Sequence, residues 1–357
     1  MITVNCIGAG RWGPNLVRGF SNLPDTRVHI VCDLEAERLQ AIGERIAGIK
    51  TSTDADAAIR DPEANAVVVA TPVRSHFALT KQALEADKHV LVEKPLCGSV
   101  EECEELGAIA ETRGLILAVG HVFLFNNGIR KVFDLLQSGD LGRIHYLHAT
   151  RTNLGPIRDD VNASWDLAAH DLSIFDYWLG ASPVAVTARG ECYLHPPVDD
   201  VVVASYTYPG RVLACAHTSW LNPRKVREIT IVGEKKMVVW NDMDLIEPVR
   251  IYDKSVNLER EPVYADSFGA SRMIIRDGDV LIPRVAGGEP LQAECRHFVD
   301  CILRRAEPIN AAAAATQVVR TLIATDESIR RHGAEIAIEG GHRRADTRTQ
   351  EPVAAGA

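Results

Sequence analysis

Apolar and polar positions alternate in two different ways along this chain. In the first third, short apolar runs typical of buried parallel strands alternate with segments in which apolar residues recur every three to four positions. Strands are predicted at 2–7, 28–32, 66–70, 89–92 and 115–119, and helices at 34–46, 54–61, 75–86 and 101–113. This alternation predicts an α/β unit with a doubly wound parallel sheet over residues 1–120.

The pattern changes after residue 120, where most strands follow one another with little helix between them. Strands are predicted at 144–152, 184–191, 201–208, 212–219, 226–232 and 237–240, and helices at 129–138, 163–179, 291–305 and 311–331. Tyr208-Pro209-Gly210-Arg211 is a tight-turn sequence, so the strands on either side of it should form a hairpin. We therefore expect an α+β domain with a large, mostly antiparallel open sheet over residues 121–340. The polar, then Ala/Gly-rich residues 341–357 are predicted to be a disordered tail.

A glycine-rich segment directly follows the first predicted strand. Gly8, Gly10 and Gly13, with Arg11 and Trp12 between the last two, form the pattern Gly-x-Gly-x-x-Gly. The first glycine permits a tight turn, the second lets backbone approach a pyrophosphate, and the third lets the next helix pack on the sheet. The helix N-terminus then offers unpaired N–H groups to the phosphates. These five residues are predicted to bind a dinucleotide in a Rossmann unit.

Asp33 ends the second predicted strand, 20 residues beyond Gly13. An acid at this position accepts hydrogen bonds from the ribose hydroxyls of the adenosine half and repels a 2′-phosphate. The sequence therefore favours NAD over NADP. The alternative interpretation is that Asp33 only caps the helix that follows.

Composition narrows the setting. Of 357 residues, 46% are hydrophobic and 24% charged, which is ordinary for a globular protein, and the length allows two domains. The net charge of −9 argues against nucleic acid or an anionic membrane as a partner. No apolar run is long enough to span a bilayer, and the chain opens on a strand pattern rather than a signal peptide, so we expect a cytoplasmic protein. The eight cysteines form no Cys-x-x-Cys pair and are predicted to be buried thiols, with no disulfide and no metal site.

A second chemical cluster is Glu93-Lys94-Pro95, at the end of a predicted parallel strand. Ligands bind at this edge of such sheets, and the proline holds Lys94 out of helical geometry. A cis Lys94–Pro95 bond is compatible with this segment. The alternative is that Lys94 is a solvated surface group.

A third cluster lies early in the predicted helix 163–179. Asp166 and His170 are four residues apart and therefore share one helical face. Histidine exchanges protons near neutral pH, and a carboxylate one turn away would fix its tautomer and raise its pKa. The alternative is a helix N-terminal aspartate beside a structural histidine.

Together these segments resemble the glucose–fructose oxidoreductase/inositol dehydrogenase (Gfo/Idh/MocA) family over nearly the whole chain. The resemblance rests on the glycine motif, on Ala70-Thr71-Pro72 followed by His76, on Glu93-Lys94-Pro95, and on Asp166 with His170. The block 162–171 is similar to members that act on nucleotide-linked sugars, which often carry proline where Ala169 stands. Many members also place a proline after the pair matching Phe125-Asn126, so the shape of that loop is left open.

The resemblance implies a two-domain NAD(P)-dependent oxidoreductase with the nicotinamide at the domain junction. It implies that Lys94 and His170 act in proton transfer with help from Asp166. It further implies a homodimer or homotetramer that pairs through the open face of the second sheet. The cofactor contacts expected beyond the glycine motif and Asp33 are Thr71, Pro72, His76, Glu93 and Lys94.

Oxidation of a secondary alcohol requires a group that takes the hydroxyl proton. We assign this role to neutral His170, with Lys94 stabilising the developing alkoxide and Asp166 orienting the imidazole; the reverse roles for Lys94 and His170 fit almost as well. Substrate contacts are expected from Arg151, Asn153, Arg158 and Asn162 together with Lys94, Asp166 and His170. The best substrate hypothesis is C3 of a nucleotide-linked hexose, with a cyclitol such as inositol, or a free sugar, as the alternative. A non-catalytic NAD-binding sensor is the alternative from another class.

Overall fold

The computed structural model describes residues 1–46, 48–258 and 273–340. Its first sheet contains six parallel strands: β1 (Ile2–Ile7), β2 (Thr26–Cys32), β3 (Lys50–Ser52), β4 (Ala66–Val69), β5 (His89–Glu93) and β6 (Leu117–Gly120). Their order in space is β3-β2-β1-β4-β5-β6, which is the arrangement of a doubly wound Rossmann sheet. The predicted fold class of this unit is confirmed. The sequence prediction missed β3 because its three polar residues carry no apolar signal.

Five helices connect these strands: α1 (Gly13–Ser21), α2 (Ala36–Arg45), α3 (Ala55–Arg60), α4 (His76–Glu85) and α5 (Val100–Arg113). The central strands are buried along their whole length, as a sheet covered on both faces requires. Because the six strands are parallel, the loops that lead from each strand into the next helix all lie at one edge of the sheet, the carboxyl edge.

The second unit is a nine-stranded sheet with helices on one face. Its strands are β7 (Ile144–Leu154), β8 (Ala185–Glu191), β9 (Val201–Tyr208), β10 (Val212–Ser219), β11 (Leu221–Gly233), β12 (Met237–Asn241), β13 (Val249–Leu258), β14 (Met273–Leu281) and β15 (Ile336–Ala337). The order is β14-β13-β12-β11-β7-β10-β9-β8-β15, antiparallel except for the β7–β10 pair. The mostly antiparallel sheet and the β9–β10 hairpin are both confirmed.

The sequence prediction missed β13, β14 and β15, which lie at the two ends of this sheet. The described side chains of β14 are exposed, so the two-residue alternation of a half-buried strand is absent there. Strand β15 has only two residues.

The helices of this unit are α6 (Asn127–Gln137), α7 (Ala169–Leu179), α8 (Pro290–Ile302) and α9 (Ala312–Arg330), and a π-helical turn at Ser164–Ala168 leads into α7. Helices α6, α7 and α9 pack against one face of the sheet. On β9 the residues alternate accordingly, with Val202, Ala204 and Tyr206 buried and Val203 exposed on the opposite, open face.

The loop after Phe125-Asn126, whose shape the sequence left open, is a helix cap. The Asn126 side-chain oxygen accepts hydrogen bonds from the N–H groups of Gly128 (2.8 Å) and Ile129 (3.3 Å). Gly128 is required beside it, because a Cβ there would lie 2.7 Å from the Trp240 Nε1 atom.

The last two helices return to the first sheet. Phe298 of α8 packs edge-on against Phe20 of α1 at 6.1 Å between ring centroids. Ala315 and Val319 of α9 join the apolar core beneath α5 and β6. The two units therefore share packed surfaces, and this arrangement supports the cleft between them.

Three further predictions concern the whole chain. All eight cysteines are unpaired thiols, and six of them are buried. Within the described ranges, no helix is long and apolar enough to cross a membrane. The predicted tail 341–357 lies outside the described residues.

Candidate active site

A cavity of about 1040 Å³ lies at the carboxyl edge of the first sheet, lined by residues of both units. Most of the predicted site residues line it: Gly8, Gly10, Arg11, Trp12, Asp33, Thr71, Pro72, His76, Glu93, Lys94, Arg151, Asn153, Arg158, Asp166 and His170. Gly13 and Asn162 do not. Residues predicted separately from distant segments are thus brought to one cavity.

The glycine turn has the geometry that a pyrophosphate site needs. Gly8 has φ +104°, and a Cβ on it would lie 2.6 Å from the Ala70 carbonyl oxygen. A Cβ on Gly13 would lie 2.0 Å from the Gly8 carbonyl oxygen, so this glycine packs α1 against the turn rather than lining the cavity. The first turn of α1 contains no acidic residue, which leaves its N-terminal end electrostatically suited to phosphates.

Asp33 links the end of β2 to the glycine turn. Its Oδ2 accepts a hydrogen bond from the Ala9 N–H (2.6 Å) and its Oδ1 one from the Glu35 N–H (2.9 Å). The N-cap of α2 is Glu35, so Asp33 is not itself the cap, although its Oδ1 holds the N–H of the cap residue. A cavity-lining carboxylate beside the glycine turn fits the adenosine ribose of a dinucleotide.

His76 is the first residue of α4, and Glu93 is the last residue of β5. The two ring nitrogens of His76 are each 2.8 Å from a carbonyl oxygen, that of Pro95 for Nδ1 and that of Thr71 for Nε2. His76 thus joins the loops after β4 and β5, and burial lowers its pKa. Burial raises the pKa of Glu93 to about 7, and its Oε2 accepts a hydrogen bond from the Lys94 N–H (3.3 Å).

Lys94 is a buried group, not a solvated surface lysine. It precedes a cis peptide bond to Pro95, and its side chain is only 12% exposed. The Nζ atom donates to the backbone oxygen of Asp166 (2.6 Å) and lies 3.4 Å from its Oδ1. Burial lowers the pKa of Lys94, although the charge of Asp166 opposes this effect.

The Asp166 carboxylate is held by three donors. Besides Lys94, Oδ1 accepts from Arg158 Nη1 (3.2 Å) and Oδ2 from Trp220 Nε1 (3.2 Å). Although burial raises it, the charges of Lys94 and Arg158 leave the pKa of Asp166 below its usual value. Asp166 therefore acts on Lys94, across the cleft.

The predicted contact between Asp166 and His170 is wrong. Among the described residues, Asp166 makes no hydrogen bond to the imidazole, and the buried His170 Nδ1 has no partner. Burial, followed by the charges of Lys94 and Arg151, holds the pKa of His170 well below its usual value, whereas we expected it to be raised. The Asp166 carboxylate pairs instead with Lys94 and Arg158. The His170 imidazole is buried near the charges of Lys94 and Arg151, which disfavour its protonated form.

His170 packs against Phe123, which also contacts two arginines. The ring centroids of His170 and Phe123 are 4.9 Å apart, and the guanidinium carbons of Arg151 and Arg227 lie 4.4 Å and 5.8 Å from the Phe123 centroid. Arg151 is buried, and its Nε (3.0 Å) and Nη2 (2.7 Å) both bind Asp171 Oδ1.

The other predicted substrate contacts differ in their placement. Arg158 binds Asp160 as well as Asp166, and the Asn153 amide donates to the Gly155 carbonyl, and both residues line the cavity. Asn162 instead supports the turn that carries Asp166. Its side chain accepts from the Trp165 N–H (3.1 Å) and donates to Asp326 (2.9 Å).

Arg227 and Phe123 line the cavity but were not predicted. Arg227 occupies an inward position of the predicted strand 226–232, in phase with the buried Ile229 and Ile231. A charged residue on the buried phase of a strand is the signal that could have found it. Phe123 lies in a short turn after β6, where no pattern marks it.

One group outside the cavity has metal-ligand chemistry. His29, Asp61 and Glu63 bring ligand atoms within 4.8 Å of one another in the described part of the chain. Protein groups already bind these atoms, since Asp61 accepts from Asn5 (3.0 Å) and Glu63 pairs with Arg27 (2.6 Å). This group therefore gives no reason to assign a metal.

The sheet order, the glycine turn with Asp33, and the buried Lys94 in one cavity define an oxidoreductase-type dinucleotide-binding protein. The chain belongs to the GFO/IDH/MocA family. Residues 2–121 match the model described as "Oxidoreductase family, NAD-binding Rossmann fold", and residues 129–239 match the GFO/IDH/MocA C-terminal domain.

Several named relatives are similar over part of their length. The uncharacterized oxidoreductase YrbE of Bacillus subtilis is 26% identical over 61% of this chain and 67% of its own length. UDP-N-acetylglucosamine 3-dehydrogenase of Acidithiobacillus ferrooxidans is 35% identical over 36% of this chain and 40% of its own. Myo-inositol 2-dehydrogenase of Thermotoga maritima is 26% identical over 52% of this chain and 58% of its own. Apart from YrbE, these matches span less than two thirds of the relative.

Solved structures share the fold over nearly the whole chain. The UDP-N-acetylglucosamine 3-dehydrogenase GnnA from Acidithiobacillus ferrooxidans superposes with a TM-score of 0.78 at 23% identity, over 92% of this chain and 98% of GnnA. The WlbA dehydrogenase from Bordetella pertussis, solved with NADH and UDP-GlcNAcA, has a TM-score of 0.76 at 20% identity, over 94% and 98%.

Proposed function

We propose that this protein is an NAD-dependent dehydrogenase that oxidises or forms a secondary alcohol at C3 of a nucleotide-linked hexose. The observation that carries the proposal is that Lys94 of the first unit and His170 of the second line the cavity that also contains the glycine turn and Asp33. The named UDP-N-acetylglucosamine 3-dehydrogenase relative supports the substrate class. A cyclitol is the second candidate, favoured by the myo-inositol 2-dehydrogenase relative.

When bound, NAD would accept the hydride, so a protein side chain must accept the proton of the substrate hydroxyl group. Lys94 is the better proton acceptor, because burial lowers its pKa and makes the neutral amine more accessible. His170 is the poorer acceptor, since an imidazolium there would lie among cations. Its neutral ring instead donates an N–H to the developing alkoxide. These charges favour the reverse of our first assignment from sequence, with Asp166 positioning Lys94.

Substitution of the two proton-transfer residues tests this proposal. Lys94→Ala and His170→Ala should each slow NADH formation about a hundredfold or more, because positioned acid–base groups contribute that much. The rate is measured by NADH absorbance with a panel of nucleotide hexoses, free sugars and cyclitols. Lys81→Ala, which removes an exposed lysine on α4, is the matched control.

The two failures of this test have different meanings. Near-normal turnover in both variants would move the chemistry to other residues. Tight NADH binding by the parent protein with no turnover on any member of the panel would favour the NAD-binding sensor.

We also propose that copies of this chain pair through the open face of the nine-stranded sheet. Three adjacent strands, β7, β10 and β9, place no Lys, Arg, Asp or Glu on that face at residues 146–150, 201–207 and 213–217. The strands that flank them do carry charges there, Glu228 on β11 opposite Thr150 and Arg189 on β8 opposite Val203. Tyr146, Val203 and Leu213 are all more than 40% exposed there, and Leu213 pairs directly with Tyr146. A charge-poor surface with exposed apolar side chains is typical of homo-oligomer interfaces.

A further inference from the structure

Three arginines of the second unit line the cavity, Arg151, Arg158 and Arg227, and Arg227 has the fewest side-chain hydrogen bonds of the three within the described residues. Within the described residues, its only side-chain hydrogen bond is from Nη1 to Asp242 Oδ2, at 3.2 Å. Arg158, by contrast, donates from Nε, Nη1 and Nη2 to two carboxylates. Arg151 donates from two nitrogens to Asp171 and is only 2% exposed.

The position of Arg227 is set by the sheet and by an aromatic ring. It lies directly opposite Arg151 in the antiparallel β7–β11 pair, so both side chains point to the same face. Its guanidinium lies over Phe123, the ring that also packs against His170. The uncommitted donors of Arg227 are therefore at the reacting end of the cavity and are held by contacts on two sides.

The carboxylates around this position are each already paired, Asp166 with Lys94, Asp171 with Arg151, and Asp242 with Arg227 itself. Only Nη1 of Arg227 is used in its pair, so within the described residues Nε and Nη2 remain available to a ligand anion. The charge of Arg227 is one of several cationic charges that, after burial, lower the pKa of His170. A planar guanidinium fork binds a carboxylate through two parallel hydrogen bonds, which a single hydroxyl group cannot match.

We propose that Arg227 binds a carboxylate carried by the reacting sugar ring, so that the preferred substrate is a uronate rather than the corresponding neutral hexose. This inference rests on the proposed function, because it names the substrate class of the same site. Arg227 is then a specificity residue that distinguishes a ring carboxylate from a hydroxymethyl group. Lys94 and His170 keep their roles with either ring.

The test compares two ligands that differ only at this group, UDP-N-acetylglucosamine and its uronate. The uronate should have a kcat/KM about ten- to a hundredfold higher, the range that hydrogen bonds to a charged group supply. Arg227→Gln should abolish this preference, chiefly by raising the KM for the uronate. Arg227→Lys, which keeps the charge but not the fork, should retain part of it. Arg224→Gln is the matched control, since Arg224 is an exposed arginine on the same strand.

Binding provides a readout that does not depend on turnover. Calorimetric titration of the NADH complex with each ligand should show tighter binding of the uronate, and Arg227→Gln should remove the difference while NADH affinity stays unchanged. Equal binding and equal turnover of the two ligands would overturn the inference and leave the proposed function intact. Preferential uronate binding with no turnover of either ligand would support Arg227 as the carboxylate site while contradicting the proposed activity.

Discussion

At the scale of single residues, the ammonium group of Lys94 lies 2.6 Å from the backbone oxygen of Asp166 and 3.4 Å from its Oδ1. Both contacts stabilise the charged form of the lysine, while burial destabilises it. Asp166 therefore controls where the amine lies and how readily it loses its proton. Because the carboxylate also binds Arg158 and Trp220, its position does not depend on Lys94 alone.

Asp166→Asn should move the acidic limb of the kcat/KM profile for alcohol oxidation to lower pH. The carboxylate charge favours the ammonium form, so its removal lowers the pKa of Lys94 and frees the amine at lower pH. The maximal rate should fall, because Nζ is held less firmly. Asp160→Asn is the control, since Asp160 binds Arg158 without bonding to Lys94. If the acidic limb of Asp166→Asn has the same apparent pKa as that of the parent protein, this role for Asp166 is contradicted. If the acidic limb of the parent protein itself has an apparent pKa at or below the ordinary histidine value, His170 is the proton acceptor.

At the scale of elements, helix α8 packs against α1 of the first unit and contains a buried glutamate. Glu294 is fully buried, and neither carboxylate oxygen has a hydrogen-bond partner among the described residues. Burial, with the charge of Glu93, raises the pKa of Glu294 well above its usual value and so favours the neutral carboxyl group in the folded protein. Within the described residues, an ionised carboxylate there would have no hydrogen-bond donor to compensate its burial.

The stability of the parent protein should therefore fall relative to Glu294→Gln as the pH rises from about 5 to 8. The unfolded chain releases this proton above the ordinary glutamate pKa and the folded chain retains it, so the Glu294 contribution is lost with rising pH. The differential slope should approach about 1.4 kcal/mol per pH unit for one proton. Urea unfolding across this range measures it, with Glu111→Gln on the exposed face of α5 as the control. Parallel stability curves for the parent and Glu294→Gln would mean that Glu294 is ionised in the fold.

At the scale of the whole molecule, the nine-stranded sheet has two different faces, and we propose a different role for each. Helix α7 packs on the helical face of the nine-stranded sheet, and its His170 lines the cavity. Val203 and Leu213 are exposed on the open face and do not line the cavity. Pairing of two chains through the open face would therefore leave both cavities accessible. A substitution that disrupts the pairing should therefore change the oligomeric state without blocking either cavity.

The double substitution Val203→Asp with Leu213→Asp should dissociate the oligomer. In a two-fold interface each chain would bring both new charges to the same surface, and their desolvation and repulsion oppose association. Light scattering after size-exclusion chromatography measures the mass. Leu245→Asp, at a highly exposed site off this face, should leave it unchanged. A parent mass equal to one chain, or an unchanged mass in the double variant, would refute the interface.

The sequence by itself determined the elements whose chemistry is local. Three glycines at Gly8, Gly10 and Gly13, after a buried strand and before Asp33, predict a dinucleotide turn because each requirement is a backbone requirement within a few residues. Two-residue alternation and apolar runs similarly predicted the two kinds of sheet. Exposed edge strands such as β14 escaped prediction, since burial on one face is what creates the pattern.

Only the tertiary structure decided which charged groups meet. Helical spacing paired Asp166 with His170, but the fold brings Lys94, from a strand 72 residues earlier, to the carboxylate instead. It also places Arg227 over Phe123 and buries Glu294 where the charge of Glu93 acts on it. Ion pairing and burial depend on distances between separate elements, and a residue's neighbours along the chain do not specify those distances. The cofactor turn could therefore be predicted from the sequence, while the electrostatics of proton transfer required the assembled cleft.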